Sequence, residues 1–378
     1  MIYMDNAATS LPKPEQVKNA IYDALENAGN PGRGTHSYAL WSSVKSDEVR
    51  RKVARLFNIE NPLQIAFTLN ATHALNIAVN LCYGKIITTQ MEHNSVLRPV
   101  ATRGCFEIVS ADIDGHLDVD RIKREISDLT GAVIMTHASN VTGEVYDIEQ
   151  VGEYCRKKGI VFIVDASQSA GIVPIDVQKM NIDVLCFTGH KGLFGIQGTG
   201  GIYVDKKIRI KPFMSGGTGT HSFTLRQPFE MPECLEAGTI NTHGIASLGA
   251  GIDYISEIGI EDISEKHRKL REYFYNNASK IPGIKIYTPK NVFSKKYGTT
   301  GIVTLNLKGI GSGELGMILG REGICTRAGY HCAPLAHRAL GTEKEGGALR
   351  FSLNHFNTEN EVDMVVKKLM DISANYRG

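Results

Sequence analysis

Apolar and polar positions along this chain follow two rhythms. From residue 15 the segment EQVKNAIYDALENAG repeats its apolar residues at helical spacing up to Gly29, and SVKSDEVRRKVARLF (43–57) does the same. Beyond residue 60, short β-rich runs take over. QIAFT (64–68), KIITT (85–89), FEIVSA (106–111), AVIMTHA (132–138), IVFIVDA (160–166), VLCFTG (184–189) and GGIYVD (200–205) are predicted strands. Helical patterns fall between them, near 72–82, after His93, at VDRIKREIS and at IEQVGEYCRKKG. This alternation predicts an α/β fold whose mainly parallel sheet is covered on both faces, with ligands gathering at the carboxyl ends of the strands. The stretch 211–244, with its glycines and prolines, breaks the rhythm and reads as a long functional loop. From about 250 the order changes to a long helix, DISEKHRKLREYFYNNASKI, followed by short strands and further helices. The expected division is a large domain over 15–250 and a smaller α+β domain made of 1–14 and 251–378.

Composition narrows the setting. The 378 residues carry 42 basic and 40 acidic side chains, a net charge of +2, and no Lys/Arg block. That excludes a general nucleic-acid footprint. The longest apolar runs are strand-sized and too short to cross a bilayer, and MIYMDNAATS lacks the pattern of an export signal, so a cytoplasmic protein without membrane contact is expected. Seven scattered cysteines, with no C-x-x-C pair, argue against a disulfide framework or a structural metal cradle. Cys155 and Cys186 sit within apolar patterns and read as core residues.

Three features fall where a strand has just ended. IVFIV delivers Asp165, a carboxylate that is costly at a buried strand end without a cation. VLCFT delivers His190 and Lys191. QIAFT leads into Asn70-Ala71-Thr72 at a helix start, where free N–H groups favour an anion. His93 follows KIITT and offers a flat ring. Pyridoxal 5′-phosphate (PLP) needs this set: an amine, a carboxylate for its pyridine nitrogen, a phosphate cradle and a stacking partner. Taken singly, each residue has a plainer reading, Asp165 as a helix cap and Lys191 as a solvated turn residue. The string Gly311, Gly313, Gly316 matches G-x-G-x-x-G but lies late in the chain, and reads as a loop before the helix ELGMILGREG rather than a nucleotide site. Cys325, His331, Cys332 and His337 lack the spacing of a structural zinc site, and no metal is expected.

YMDNAAT (3–9), EHNS (92–95), HASNVTG (137–143), VDASQSAG (164–171), TGHKG (188–192), EAGTIN (236–241) and RAGYHCA (327–333) together resemble the class V aminotransferase-like PLP family, across nearly the whole chain and in the family's order. Within it they are most similar to the cysteine desulfurases and selenocysteine lyases, in the subgroup with a short cysteine loop. The resemblance implies PLP fold type I with a seven-stranded sheet. It implies Lys191 as the Schiff-base lysine and proton shuttle, Asp165 at the pyridinium nitrogen, Gln168 at the ring hydroxyl and His93 stacked on the ring. Ala71, Thr72, Thr188 and His190 would hold the phosphate. Thr239 would reach it from a neighbouring subunit, which makes the protein a homodimer with shared sites. Asn140 and Arg350 would hold the substrate carboxylate, the planar fork of an Arg meeting it at two points. Cys332 would be the nucleophile, in a polar, basic turn that favours a thiolate. The implied reaction takes sulfur from L-cysteine, or selenium from L-selenocysteine, releases L-alanine and passes the chalcogen to an acceptor protein such as an iron–sulfur scaffold. An aminotransferase or other class V chemistry is the alternative, and it needs no nucleophilic cysteine. The chain departs from the family at Tyr330, Asn94 and His73, and starts almost at YMDNAAT, without the N-terminal extension of many relatives.

Overall fold

The computed structural model describes residues 1–32, 34–290 and 299–376, so the C-terminal region expected from the sequence lies outside the described residues at 291–298 and 377–378. In chain order, β1 (Ile2–Tyr3) precedes α1 (Glu15–Asn27) and α2 (Ser37–Leu56). Then β2 (Ile65–Thr68), α3 (Ala71–Leu81), β3 (Lys85–Thr89), α4 (Asn94–Arg103), β4 (Phe106–Val109) and α5 (Val119–Glu125) alternate. The alternation continues through β5 (Thr130–Thr136), α6 (Ile148–Lys158), β6 (Val161–Asp165), β7 (Val184–Thr188) and β8 (Gly200–Val204). Two packed helices follow, α7 (Thr242–Ile258) and α8 (Ile260–Ala278), then β9 (Ile284–Ile286), β10 (Ile302–Leu307) and α9 (Ser312–Arg321). The chain finishes with β11 (Ile324–Cys325), β12 (Arg327–Gly329), α10 (Pro334–Ala339), β13 (Ala348–Ser352) and α11 (Glu359–Asn375).

The seven strands β2-β8-β7-β6-β5-β3-β4 form one sheet in that order. β3 to β7 run parallel, and β8 is antiparallel to both its neighbours. Strands β7 and β8 are buried along their whole length, as expected where helices cover both faces. A four-stranded antiparallel sheet, β12-β13-β10-β9, has its own apolar cluster built around Phe274, Val303, Phe351 and Leu369. The N-terminal residues join it: β1 pairs with β11, the Ser352 amide donates to Met4 O (2.7 Å), and Ile2 and Met4 enter the same cluster. Among the described residues no helix is long and apolar enough to cross a membrane.

The main departure from the sequence reading is α2, which starts at Ser37 rather than near residue 43. Its first turns bury Ala39, Ser42 and Ser46, so no apolar stripe announces them. The hydroxyl of Ser42 donates to Gly29 O (2.7 Å) and that of Ser46 to Ser42 O (2.8 Å). The cap is His36, whose Nδ1 accepts from the Ala39 amide, a job more often done by Ser, Thr, Asp or Asn. FEIVSA and VDRIKREIS also stop short, at Val109 and Glu125. Between β8 and α7 the long loop is tied to the edge of the sheet. The buried Arg50 grips Glu236 at two points, and Glu236 also accepts the Phe67 amide on β2 (2.6 Å).

Candidate active site

A cavity of about 300 Å³ opens at the carboxyl ends of the parallel strands, between the two sheets. Asp165 is the last residue of β6 and Thr188 the last of β7, and each lines it. His190 and Lys191 turn into it just beyond β7, and Gln168 enters from the turn after Asp165. Two glycines let these turns meet: a Cβ on Gly192 would stand 2.5 Å from Ala170 O, and Gly171 faces Gly192 from the other side at φ +79°.

The start of α3 supplies the opposite wall. Asn70 caps the helix, its side chain accepting from the His73 amide (2.9 Å) and its carbonyl from the Ala74 amide (3.2 Å). The earlier amides, of Ala71 and Thr72, are left without helical partners, in a positive helix end at the cavity. His93 caps α4 in the same way. Its Nδ1 accepts from the Ser95 amide (3.0 Å), so the ring proton of the neutral form sits on Nε2. Burial first, then the charges of Lys191 and Arg350, pull His93 down to about 4, against the pull of Asp165, and the ring is neutral near pH 7. Ser95 links the two helix starts, its hydroxyl 2.7 Å from that of Thr72.

Electrostatics favour a covalent amine. Burial lowers the Lys191 ammonium from 10.5 to about 8, although Asp165 opposes the shift. Asp165 Oδ1 accepts the Ser167 amide (2.9 Å) and hydroxyl, which fixes the carboxylate. His190, lowered to about 4 by burial and then by Lys191 and Lys13, carries a buried Nδ1 with no partner among the described residues.

The C-terminal sheet contributes the third wall. Arg350, on β13, donates from Nη1 to Asn140 O (3.0 Å) and from Nη2 to Asp5 (3.1 Å), while its buried Nε–H has no partner among the described residues. Asn140 in turn donates to His331 O (2.7 Å). Cys332 faces solvent at the junction of this cavity with an outer groove of about 760 Å³ that also holds Arg98, Arg103 and Lys211. His331 and Cys332 are both left-handed, at φ +50° and +56°. For residues with a Cβ this costs about 1–2 kcal/mol each, so the surroundings must hold them there.

One cavity therefore gathers Lys191, Asp165, Gln168, Thr188 and His190 with Ala71, Thr72, His93, Asn140, Arg350 and Cys332. Thr239 is not among them; it lies exposed on the long loop. Several lining residues had no role in the sequence reading. Ser95 and Ser167 sit within the quoted motifs and could have been found as the second residue of α4 and the second residue after Asp165. Asp5 stands in YMDNAAT, but its partner is 345 residues away.

The chain belongs to the class-V aminotransferase family, whose model matches residues 2–365. A probable cysteine desulfurase of Methanothermobacter thermautotrophicus is 34% identical, over 99% of this chain and 95% of its own length. A cysteine desulfurase of Haloferax volcanii is 30% identical over 97% and 88%. Among solved structures, the apo cysteine desulfurase of Thermococcus onnurineus superposes with a TM-score of 0.91 at 31% identity, over 99% of this chain and 95% of that one. The fold is PLP fold type I, and PLP is the family's cofactor. The residues fit it: a lysine lowered to about 8, a fixed carboxylate opposite, and a helix start with free amides beside the unpartnered His190 nitrogen.

Proposed function

We propose that this protein is a cysteine desulfurase that converts L-cysteine to L-alanine and keeps the sulfur as a persulfide on Cys332. The observation that carries this is the placement of the Cys332 thiol on the same 300 Å³ cavity as Lys191, Asp165 and Arg350. An aminotransferase on this fold has no use for a thiol there.

Lys191 holds the cofactor and moves the proton at the substrate α-carbon, a task suited to an amine near neutrality. Asp165 would pair with the pyridine nitrogen of the bound cofactor, and the neutral His93 ring would stack on it. The Ala71 and Thr72 amides, Thr188 and His190 would take its phosphate, and Gln168 its ring hydroxyl. Arg350 offers its spare N–H groups to the substrate carboxylate beside Asn140. Bound PLP supplies the electron sink for the pair left at the α-carbon. The Cys332 thiolate forms an S–S bond to the substrate sulfur as the C–S bond breaks, and its electron pair stays with carbon, which is then protonated. Enzyme thiol plus cysteine thus yields enzyme persulfide plus alanine, with no outside oxidant.

The persulfide faces the outer groove, from which a sulfur-acceptor protein collects it in the cytoplasm. Thr239 completes the site of a second copy in a homodimer. Its loop leaves Phe223, Leu225 and Phe229 exposed in the single chain, an apolar surface suited to a partner. The functional halves are residues 15–250 and a smaller unit of 1–14 with 251–378.

Alanine release from L-cysteine by the holoenzyme is the test. Cys332→Ala should retain the cofactor's visible absorption and lose at least about 100-fold in turnover; full turnover in that variant would overturn the persulfide step. The same pair of proteins on L-selenocysteine shows whether selenium release also needs Cys332.

A further inference from the structure

Leading from the cavity-lining His331 beside Cys332 into α10 and the turn beyond it, three buried side chains form a directed chain. His331 Nε2 lies 3.1 Å from Arg327 O; a carbonyl only accepts, so Nε2 donates. His331 Nδ1 is then an acceptor, and the His337 Nε2–H 3.0 Å away donates to it. His337 Nδ1 in turn accepts from the Thr342 hydroxyl at 2.7 Å. A single tautomer of each ring satisfies every ring contact, with the one Thr342 proton given to the nearer His337 Nδ1 rather than to His337 O at 3.2 Å. Burial and the Arg350 charge keep both rings neutral, at about 2 for His331 and about 4 for His337, so this direction persists at ordinary pH. The rings lie 5.2 Å apart at 27°, and the Tyr330 ring meets His337 edge-on.

The backbone of the same turn is held from the opposite side. His331 O accepts from Asn140 Nδ2, and Cys332 O from the Asn94 amide next to His93, both at 2.7 Å. The two left-handed residues are therefore pinned by their carbonyls to the cavity wall, and by the His331 ring to α10. His337 itself does not line the cavity and touches neither a cofactor nor a substrate position.

We propose that His337, oriented by Thr342, is a positioning residue for the sulfur step: through His331 it holds the left-handed turn that presents Cys332 to the substrate sulfur. This rests on the desulfurase reading. The experiment compares holoenzyme His337→Leu, His337→Gln and Thr342→Val with the wild type and Cys332→Ala. It follows cofactor absorption, KM for L-cysteine, the substrate-induced change in absorption, and single-turnover persulfide formation. Leu cannot donate, and a reacting atom displaced by about 1 Å costs about 100-fold. His337→Leu should therefore lose about that factor in persulfide formation, while KM and the substrate-induced spectrum hold. His337→Gln places an N–H donor where Nε2 stands and should recover most of the rate. Thr342→Val, which frees the His337 tautomer, should lose less than His337→Leu in the same step. Wild-type persulfide formation in His337→Leu, or equal losses in the Leu and Gln variants, overturns the proposal. Should His337→Leu fail to fold or load, Gln and Val variants decide it: an unchanged rate in Thr342→Val, or a Gln variant as slow as Cys332→Ala, overturns it. Full turnover in Cys332→Ala is a separate result, which removes the desulfurase reading whatever the His337 variants do.

Discussion

On the large-sheet side of the cavity, Asp165, Thr188 and Lys191 owe their places to regular structure. Each stands at or just past the end of a parallel strand, and Gly171 and Gly192 let the two turns pack backbone to backbone. On the C-terminal side, Cys332 sits in a short turn that its own conformational preference opposes, and side chains from α10 and the Asn140 loop, with the Asn94 backbone amide at the start of α4, hold it there. Strand ends place Lys191, the proposed cofactor anchor, without spending side chains on the task. The left-handed Cys332 turn has dedicated clamps instead, and these come from parts of the chain far apart in sequence.

The largest effect that tests this contrast is Lys191→Ala. Turnover should fall at least about 10⁴-fold, the upper range for a positioned proton-transfer group, and the cofactor's visible absorption should vanish with it. If cofactor absorption survives, the anchor has been misplaced. Gly192→Ala comes next and attacks packing rather than chemistry. Overpacking against Ala170 O should cost about 1–3 kcal/mol in denaturant unfolding and weaken cofactor retention. The clamp variants of His337, in contrast, should leave cofactor retention alone. A Gly192→Ala protein that keeps its stability while losing only persulfide formation would erase the distinction between the two walls. The smallest effect is on pH. Burial lowers Lys191 from 10.5 to about 8, so in the cofactor-free protein the folded state gives up this proton before the unfolded chain does. The buried ammonium costs stability below pH 8, and the cost is relieved as pH rises from 8 toward 10.5. The melting temperature of the wild-type apoprotein should therefore gain on that of Lys191→Met over this window; parallel curves would show that the amine is not desolvated.

Most of the large sheet was legible in the sequence because fully buried strands are continuous apolar runs. Strand ends in turn located Asp165, Lys191, His93 and the Ala71–Thr72 helix start. The family motifs added Cys332, Arg350 and Asn140, which no periodicity marks. The opening turns of α2 stayed hidden because its inward positions are Ala39, Ser42 and Ser46 and its cap is a histidine. The His331–His337–Thr342 chain was invisible for another reason: His337 lies in a helix and Thr342 in a turn, and only the folded geometry aligns their donors. His337 appeared in the sequence only as part of an ill-spaced metal set. In the fold its ring is turned to His331.

The Asp5–Arg350 ion pair carries a consequence for biosynthesis. It joins Asp5 to Arg350 on β13, 345 residues further along the chain. A growing chain folds from its N-terminus, so the large sheet and Lys191 can be in place while Asp5 still waits for its partner. The Arg350 guanidinium, the pinned cysteine turn and the N-terminal strand can come together only once β13 has been made. Assembly of the large-sheet wall of the cavity can thereby precede assembly of the C-terminal wall in the life of each molecule.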